Sequence, residues 1–329
     1  MTVRKPRTKP AHRRGFTLVE MLTVIVIIGI LAALTIGGSM AVRNRVRISI
    51  VTADIKQLEL ALQNYKSEVG ELPPDFSFCG RGDAIGDAAR GRVMRHLRKR
   101  FPRYRPADFA GFLADASTFL AEPGVLTVGT GNNQLNPSTA LTFWLGGDLD
   151  ADGKPRGFHE NPSNPFQVGE PRTTPYYDFD SERLDGFRLL QPGIRPESTY
   201  VYFRPITNNE TGELEYGVPD RADPAAPDPA DPFLPYSFQL ASGNVCVPYI
   251  EAAHVRDDPD TPADADLADS ERDWAAPDTY QIIAAGFDGV FSVGGAAGDF
   301  RFSTTGVDFT DGDFDNIANF ANGKLEDEL

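Results

Sequence analysis

The chain has 329 residues, with 32 Lys or Arg against 47 Asp or Glu, and a formal net charge of −15. Such acidity excludes a nucleic-acid-binding body, because phosphate backbones attract Lys and Arg and repel carboxylates. Two cysteines, Cys79 and Cys246, exclude a disulfide framework and a zinc cluster, and leave either one long-loop bridge or two buried thiols.

The charge is unevenly spread. Residues 1–15 carry Arg4, Lys5, Arg7, Lys9, Arg13 and Arg14 and no acidic residue. From Phe16 to Ile36 the only polar side chains are Thr17, Glu20, Thr23 and Thr35. About 20 helical residues at about 1.5 Å each cross a bilayer core. The basic leader sets the N-terminus on the cytoplasmic side and sends the rest of the chain outward. Glu20 is the anomaly, since a carboxylate in hydrocarbon is unfavourable unless something pairs with it.

Beyond the apolar run stand Arg43, Arg45 and Arg47, placed for a headgroup contact. Ile48, Val51, Ile55, Leu58, Leu62, Tyr65 and Val69 then recur at spacings of three and four, which is one stripe of a helix. Gly70 fits the helix end, and Pro73 and Pro74 forbid continuation. One helix is predicted from Phe16 to Val69. Gly29, Gly37 and Gly38 interrupt it, as points of local loosening or of close helix packing.

Three more helices are predicted at 86–101, 106–124 and 138–147, the last with Ser138 as an N-cap. The run from Arg90 to Arg105 holds eight basic residues, either a solvated helix face or a docking patch for an acidic partner. Strands are predicted at 199–205, 244–250, 279–286 and 289–295. Between them lie two Pro/Asp-rich stretches, "PDRADPAAPDPADPF" and "RDDPDTPADADLADSERD", which read as exposed loops. The second holds eight acids from Asp257 to Asp273. The expected class is α+β: a long N-terminal helix, half transmembrane and half amphipathic, packed on a globular head with an antiparallel sheet. The expected divisions are a leader at 1–15, an anchor at 16–38, an amphipathic stalk at 39–72 and an exported head at 73–329.

Enzymatic motifs are missing. The four histidines, His12, His96, His159 and His254, have no metal-ligand spacing, and there is no metalloprotease helix, nucleophile elbow or P-loop. "DLDADG", Asp148 to Gly153, fits the first half of a calcium-binding EF-hand loop through Asp148, Asp150 and Asp152. The glutamate expected at its twelfth position is replaced by His159. An ordinary Asp/Gly turn is the alternative.

The order of basic leader, then "G-F-T-L-V-E", then the apolar run resembles the class III signal of type IV pilins and type II secretion pseudopilins. The stretch "DIKQLELALQNYKSEVGELPPD" resembles the major pseudopilin of type II secretion, through Tyr65, Lys66, Gly70 and Pro73. The resemblance implies cleavage by a prepilin peptidase after Gly15 and N-methylation of Phe16. It implies an assembly role for Glu20, whose carboxylate neutralises the Phe16 ammonium of a neighbouring subunit. It also implies a calcium loop at the C-terminus: Asp288 and Asp315 match the family's aspartates, and Asp311 and Asp313 are placed to add ligands. Phe320 stands where the family has tryptophan. The implied partners are other pilin-like subunits, the peptidase and a secretion or pilus assembly platform, and the implied location is the bacterial inner membrane with the head in the periplasm. A type IV pilin or minor pilin with an enlarged partner-binding head is the second reading. A membrane-anchored ligand-binding ectodomain is the third.

Overall fold

The computed structural model describes residues 17–120, 124–192, 198–207, 212, 214–219, 233–240, 243–249, 274–276, 278–286, 288–291, 315–321 and 323–325, with 33–44, 219, 233 and 235 described by backbone alone. Two compact units result, Met1–Arg47 and Ile48–Leu329. Gly15, Phe16, Asp311, Asp313, residues 220–232 of the first acidic loop and all of the second lie outside the described residues.

Helix α1 runs Leu18–Val69 and continues through Gly29, Gly37 and Gly38. In the second unit Val51, Ile55, Leu58, Leu62, Tyr65 and Val69 are buried, so the predicted stripe is the face that enters the core. Gly70 ends the helix at φ +83°, its N–H donating to the Lys66 carbonyl at 2.8 Å.

The turn after α1 is built around its prolines. Pro73 and Pro74 have no N–H, yet their carbonyls need donors. Tyr202 Oη donates to the Pro73 carbonyl and Trp144 Nε1 to the Pro74 carbonyl, both at 2.9 Å. Asp75, fully buried, accepts the Ser77 and Arg204 backbone N–H groups at 2.9 Å each.

Helix α2 spans Ala84–Arg100 and is capped by Asp83, which accepts the Gly86 N–H at 2.9 Å. Helix α3 spans Phe109–Ala116 and closes in a single 3₁₀ turn, Ser117–Phe119, earlier than predicted. Ser117 Oγ donates back to the Leu113 carbonyl and accepts the Leu126 N–H, which turns the chain away. Helix α4 spans Ala140–Gly146 and is wholly buried. Its N-cap position is Thr139, not Ser138, because Ser138 is turned onto the Asn136 side chain.

At the centre is a three-stranded antiparallel sheet in the order Ile317–Ala318, Gln281–Ala284, Tyr200–Phe203. Ile283 faces both Val201 and Ala318. Successive side chains point to opposite faces, and here both faces are covered. Tyr200, Tyr202, Ile282, Ala284 and Ile317 join the core built on α1 and α4. Val201, Phe203, Ile283, Ala285 and Ala318 join a second core with Tyr216, Tyr236, Phe238, Tyr249 and Trp274. A sheet buried on both sides reads as an unbroken apolar run, which is the pattern of "TYVYF" and "YQIIAA".

Two expectations are corrected. The 244–250 run contributes only Val245–Cys246, paired with Phe238–Gln239. In 289–291 there is no strand, and Ile317–Ala318 takes the edge beside Gln281–Ala284 instead. Cys79 and Cys246 are both buried and not in a disulfide, Cys79 in the first core and Cys246 in the second. The bridge is therefore not formed, and burial pushes the Cys79 thiol up to about 12, far from reactive.

Candidate functional site

In the N-terminal unit, Leu18, Val19, Leu22, Ile25, Ile28 and Leu31 are all more than half exposed. Soluble monomers rarely expose so continuous an apolar surface. Thr17 and Glu20 close its N-terminal end. The Glu20 carboxylate accepts the Thr17 N–H at 2.8 Å and the Thr17 hydroxyl at 2.9 Å, while the Glu20 N–H donates to Thr17 Oγ1 at 3.2 Å. This is a reciprocal capping box. The S/T-x-x-E spacing was legible as "TLVE", though sequence reasoning took Glu20 alone. The Glu20 side chain stays exposed and open to a second partner. Among the described residues no helix is long and apolar enough to cross a membrane.

In the second unit the structure brings Asp288 and Asp315 together from positions 27 residues apart. Asp315 Oδ2 accepts the Asp288 N–H at 3.4 Å, and Asp288 Oδ1 accepts the Val290 N–H at 2.7 Å. The neighbouring Asn316 accepts the Gly286 N–H at 3.1 Å and donates to Tyr249 Oη and the Phe291 carbonyl at 2.9 Å each. A Cβ on Gly286 would lie 1.9 Å from Asp315 Oδ1, so only glycine lets the carboxylate enter this turn. Carboxylates are a donor type that a hard cation takes, and here each also accepts a backbone N–H. Among the described residues no group of three or more His, Cys, Asp or Glu converges.

The EF-hand-like stretch is different. Asp148 is buried with Oδ2 at 2.7 Å from both Arg156 and Arg172. A carboxylate that already faces two guanidinium groups offers no net negative charge to a cation. Asp150 spends Oδ1 on the Asp152 and Lys154 N–H groups at 2.9 and 2.8 Å. Gly153 takes φ +75°. Asp148, Asp150 and Asp152 therefore build an Asx turn sealed by arginines, and the cation reading does not fit them.

Two buried polar networks went unread in the sequence. Asp54, on the buried face of α1, accepts the Tyr200 hydroxyl at 2.8 Å and a hydrogen bond from Arg183. His96 of α2 has Nε2 2.7 Å from Tyr65 Oη and Nδ1 2.7 Å from Glu71 Oε1. This fixes the roles: Tyr65 donates to Nε2, and Nδ1–H donates to Glu71. The His96 hydrogen bond holds the Glu71 carboxyl down at about 2, while burial pushes His96 below its ordinary value and keeps it neutral.

Residues 10–36 match the prokaryotic N-terminal methylation motif. The N-terminal region is also similar to the type II secretion major pseudopilin. Over 55 residues the chain is 42% identical to the type II secretion system core protein G of Pseudomonas aeruginosa, covering 17% of this chain and 39% of that protein. Over 61 residues it is 43% identical to the core protein G of Klebsiella michiganensis, covering 18% and 43%. With that of Escherichia coli it shares 41% over 61 residues, covering 18% and 42%. The matched stretch thus spans about two fifths of the length of these relatives. No solved structure matches the chain.

Proposed function

We propose that this chain is a structural subunit of a type II secretion pseudopilus, not an enzyme. The observation that carries the reading is the exposed apolar helix closed by Thr17 and Glu20 inside the methylation motif. In this reading a prepilin peptidase cuts between Gly15 and Phe16, and Phe16 is methylated. The helix then anchors the chain once through the inner membrane, with the head in the periplasm. Subunits leave the bilayer by packing these helices together on an assembly platform. Glu20, exposed at the helix end, pairs with the Phe16 ammonium of a neighbour, which turns two costly charges in hydrocarbon into one satisfied pair.

The test compares wild type and Glu20→Ala in cells carrying the secretion machinery. The mutant should be cleaved and inserted normally, yet yield little sheared or chemically cross-linked polymer. Polymer at wild-type level in that mutant would remove Glu20 from assembly.

Calcium at the C-terminal loop is part of the proposal. Asp288 and Asp315 would hold it, with Asp311 and Asp313 as further ligands and carbonyls of the Gly286–Val290 turn completing an oxygen shell. Its contribution would be to pin the edge strand Ile317–Ala318 to the turn. Equilibrium dialysis of the intact chain with calcium, for wild type and Asp288→Ala/Asp315→Ala, reads binding directly; equal binding by both would sink the site.

A further inference from the structure

We infer that the outward face of α2 is a docking surface for the acidic 257–273 segment of a second copy of this chain. The inference rests on the subunit reading above and adds a contact between heads.

The inner face of α2 is settled by packing: Ile85, Ala89, Val93, Met94, His96 and Leu97 are buried. The opposite face carries Arg92, Arg95, Arg98 and Lys99, spaced three and four apart and so on one side of the helix. Arg103 and Arg105 extend it past the helix end, and both are exposed, as are Arg95, Arg98 and Lys99. Some basic residues of α2 have partners: Arg90 pairs with Asp87 at 2.6 Å, Arg100 with Glu68 at 2.8 Å, and Lys99 of the outward face lies 3.5 Å from Glu71. Among the described residues Arg95, Arg98 and Arg103 make no ion pair or hydrogen bond.

A solvated face explains this poorly. Basic residues in a last turn complement the helix dipole, which accounts for Arg98, Lys99 and Arg100, and Arg92 acts on the buried Asp75 carboxylate, but neither accounts for Arg95 in the middle of the helix. The chain as a whole is at −15. In an otherwise acidic protein, Arg95, Arg98 and Arg103 are a concentration of like charge with no ion pair among the described residues.

The complementary charge is in the chain itself. Residues 257–273 hold eight acids and one arginine. The residues on either side of this segment are held together, with the Ala275 N–H donating to the Tyr249 carbonyl at 3.1 Å. Tyr249 and Trp274, on either side of the segment, both belong to the second core. Two different patches that attract each other form a heterologous contact, and such contacts repeat head to tail into open filaments. They also offset the repulsion between subunits that each carry a large negative charge. Being exposed, the contact weakens as salt rises.

The test uses full-length chains in membranes of cells that assemble the filament. Two differently tagged chains are co-expressed, one Arg95→Cys and the other Asp264→Cys. The native thiols Cys79 and Cys246 are buried and stay silent. The expected result is a mixed disulfide carrying both tags, lost on reduction and absent when either engineered cysteine is omitted. Arg95→Glu/Arg98→Glu should lower polymer yield several-fold at low salt and little at high salt. If polymer forms and depends on Glu20 but the mixed disulfide never appears, the docking is wrong and the subunit reading stands. A bridge within one doubly substituted chain, or to another protein, likewise overturns it. If no polymer depends on Glu20, the subunit reading itself fails and the docking falls with it.

Discussion

Thr17 and Glu20 cap one another: the Glu20 carboxylate holds the Thr17 N–H at 2.8 Å while Thr17 Oγ1 holds the Glu20 N–H at 3.2 Å. The carboxylate that the proposal assigns to assembly is therefore already engaged before any neighbour arrives. It sits at the positive end of its own helix, where an anion is favoured, and a second donor can join the first.

This gives Thr17 a distinguishable part. Thr17→Ser keeps the hydroxyl and should assemble as wild type. Thr17→Val keeps the shape and the backbone N–H, removes the hydroxyl half of the cap, and should lower polymer yield without blocking cleavage. Equal yields for the two variants would show that the cap is irrelevant.

The Tyr65–His96–Glu71 chain joins α1 to α2 inside the core. Tyr65→Phe leaves His96 Nε2 buried without its donor, at a cost of about 1–3 kcal/mol. Thermal unfolding of the intact chain in detergent should shift down by several degrees. An unchanged midpoint would mean the hydrogen bond contributes nothing net.

The same chain sets a pH dependence. His96 is held below its ordinary value by burial, so the unfolded state takes up its proton first as pH falls below about 6.5. Glu71 is held at about 2, so its contribution is complete above its ordinary value of 4.5 and is lost as pH falls from there toward 2. Stability should thus decline in two stages on acidification. His96→Gln should flatten the first stage, readable in urea midpoints at pH 7, 6 and 5.

Asp54 is the buried acid of the stalk. Asp54→Ala strands the Arg183 guanidinium and the Tyr200 hydroxyl, which costs about 3 kcal/mol for a buried pair broken on one side. Asp54→Asn, which can still accept from Tyr200, should cost less. Urea midpoints that rank the two variants the other way would contradict the network.

The C-terminal turn depends on a missing side chain. Gly286→Ala puts a methyl 1.9 Å from Asp315 Oδ1, so the turn must open and the midpoint must fall. Any calcium-dependent rise in the wild-type midpoint should vanish in this variant as it does in Asp315→Ala.

Periodicity made α1 legible, because Val51 to Val69 keep to one face and the Gly70 and Pro73 signals are local. The central sheet was legible as strands but not as a layer buried twice, since an apolar run such as "YQIIAA" does not say what covers it. Ile317–Ala318 was missed because two residues carry no period. The Asp148 turn looked like a cation loop because its aspartates are adjacent in sequence, whereas Arg172, which neutralises Asp148, is remote. Asp54 and His96 were unreadable for the same reason: Arg183, Tyr200 and Glu71 reach them only through the fold. The Thr17–Glu20 cap was local, and its spacing alone would have found it.

The most direct test of the central claim is the N-terminus and intact mass of the protein extracted from membranes. A mature chain beginning at Phe16 and carrying one added methyl group is the expected result, and it places Glu20 fifth from a free ammonium. A chain that still begins at Met1, or one cut beyond Ile36 so that the apolar helix is lost, would contradict the subunit reading outright.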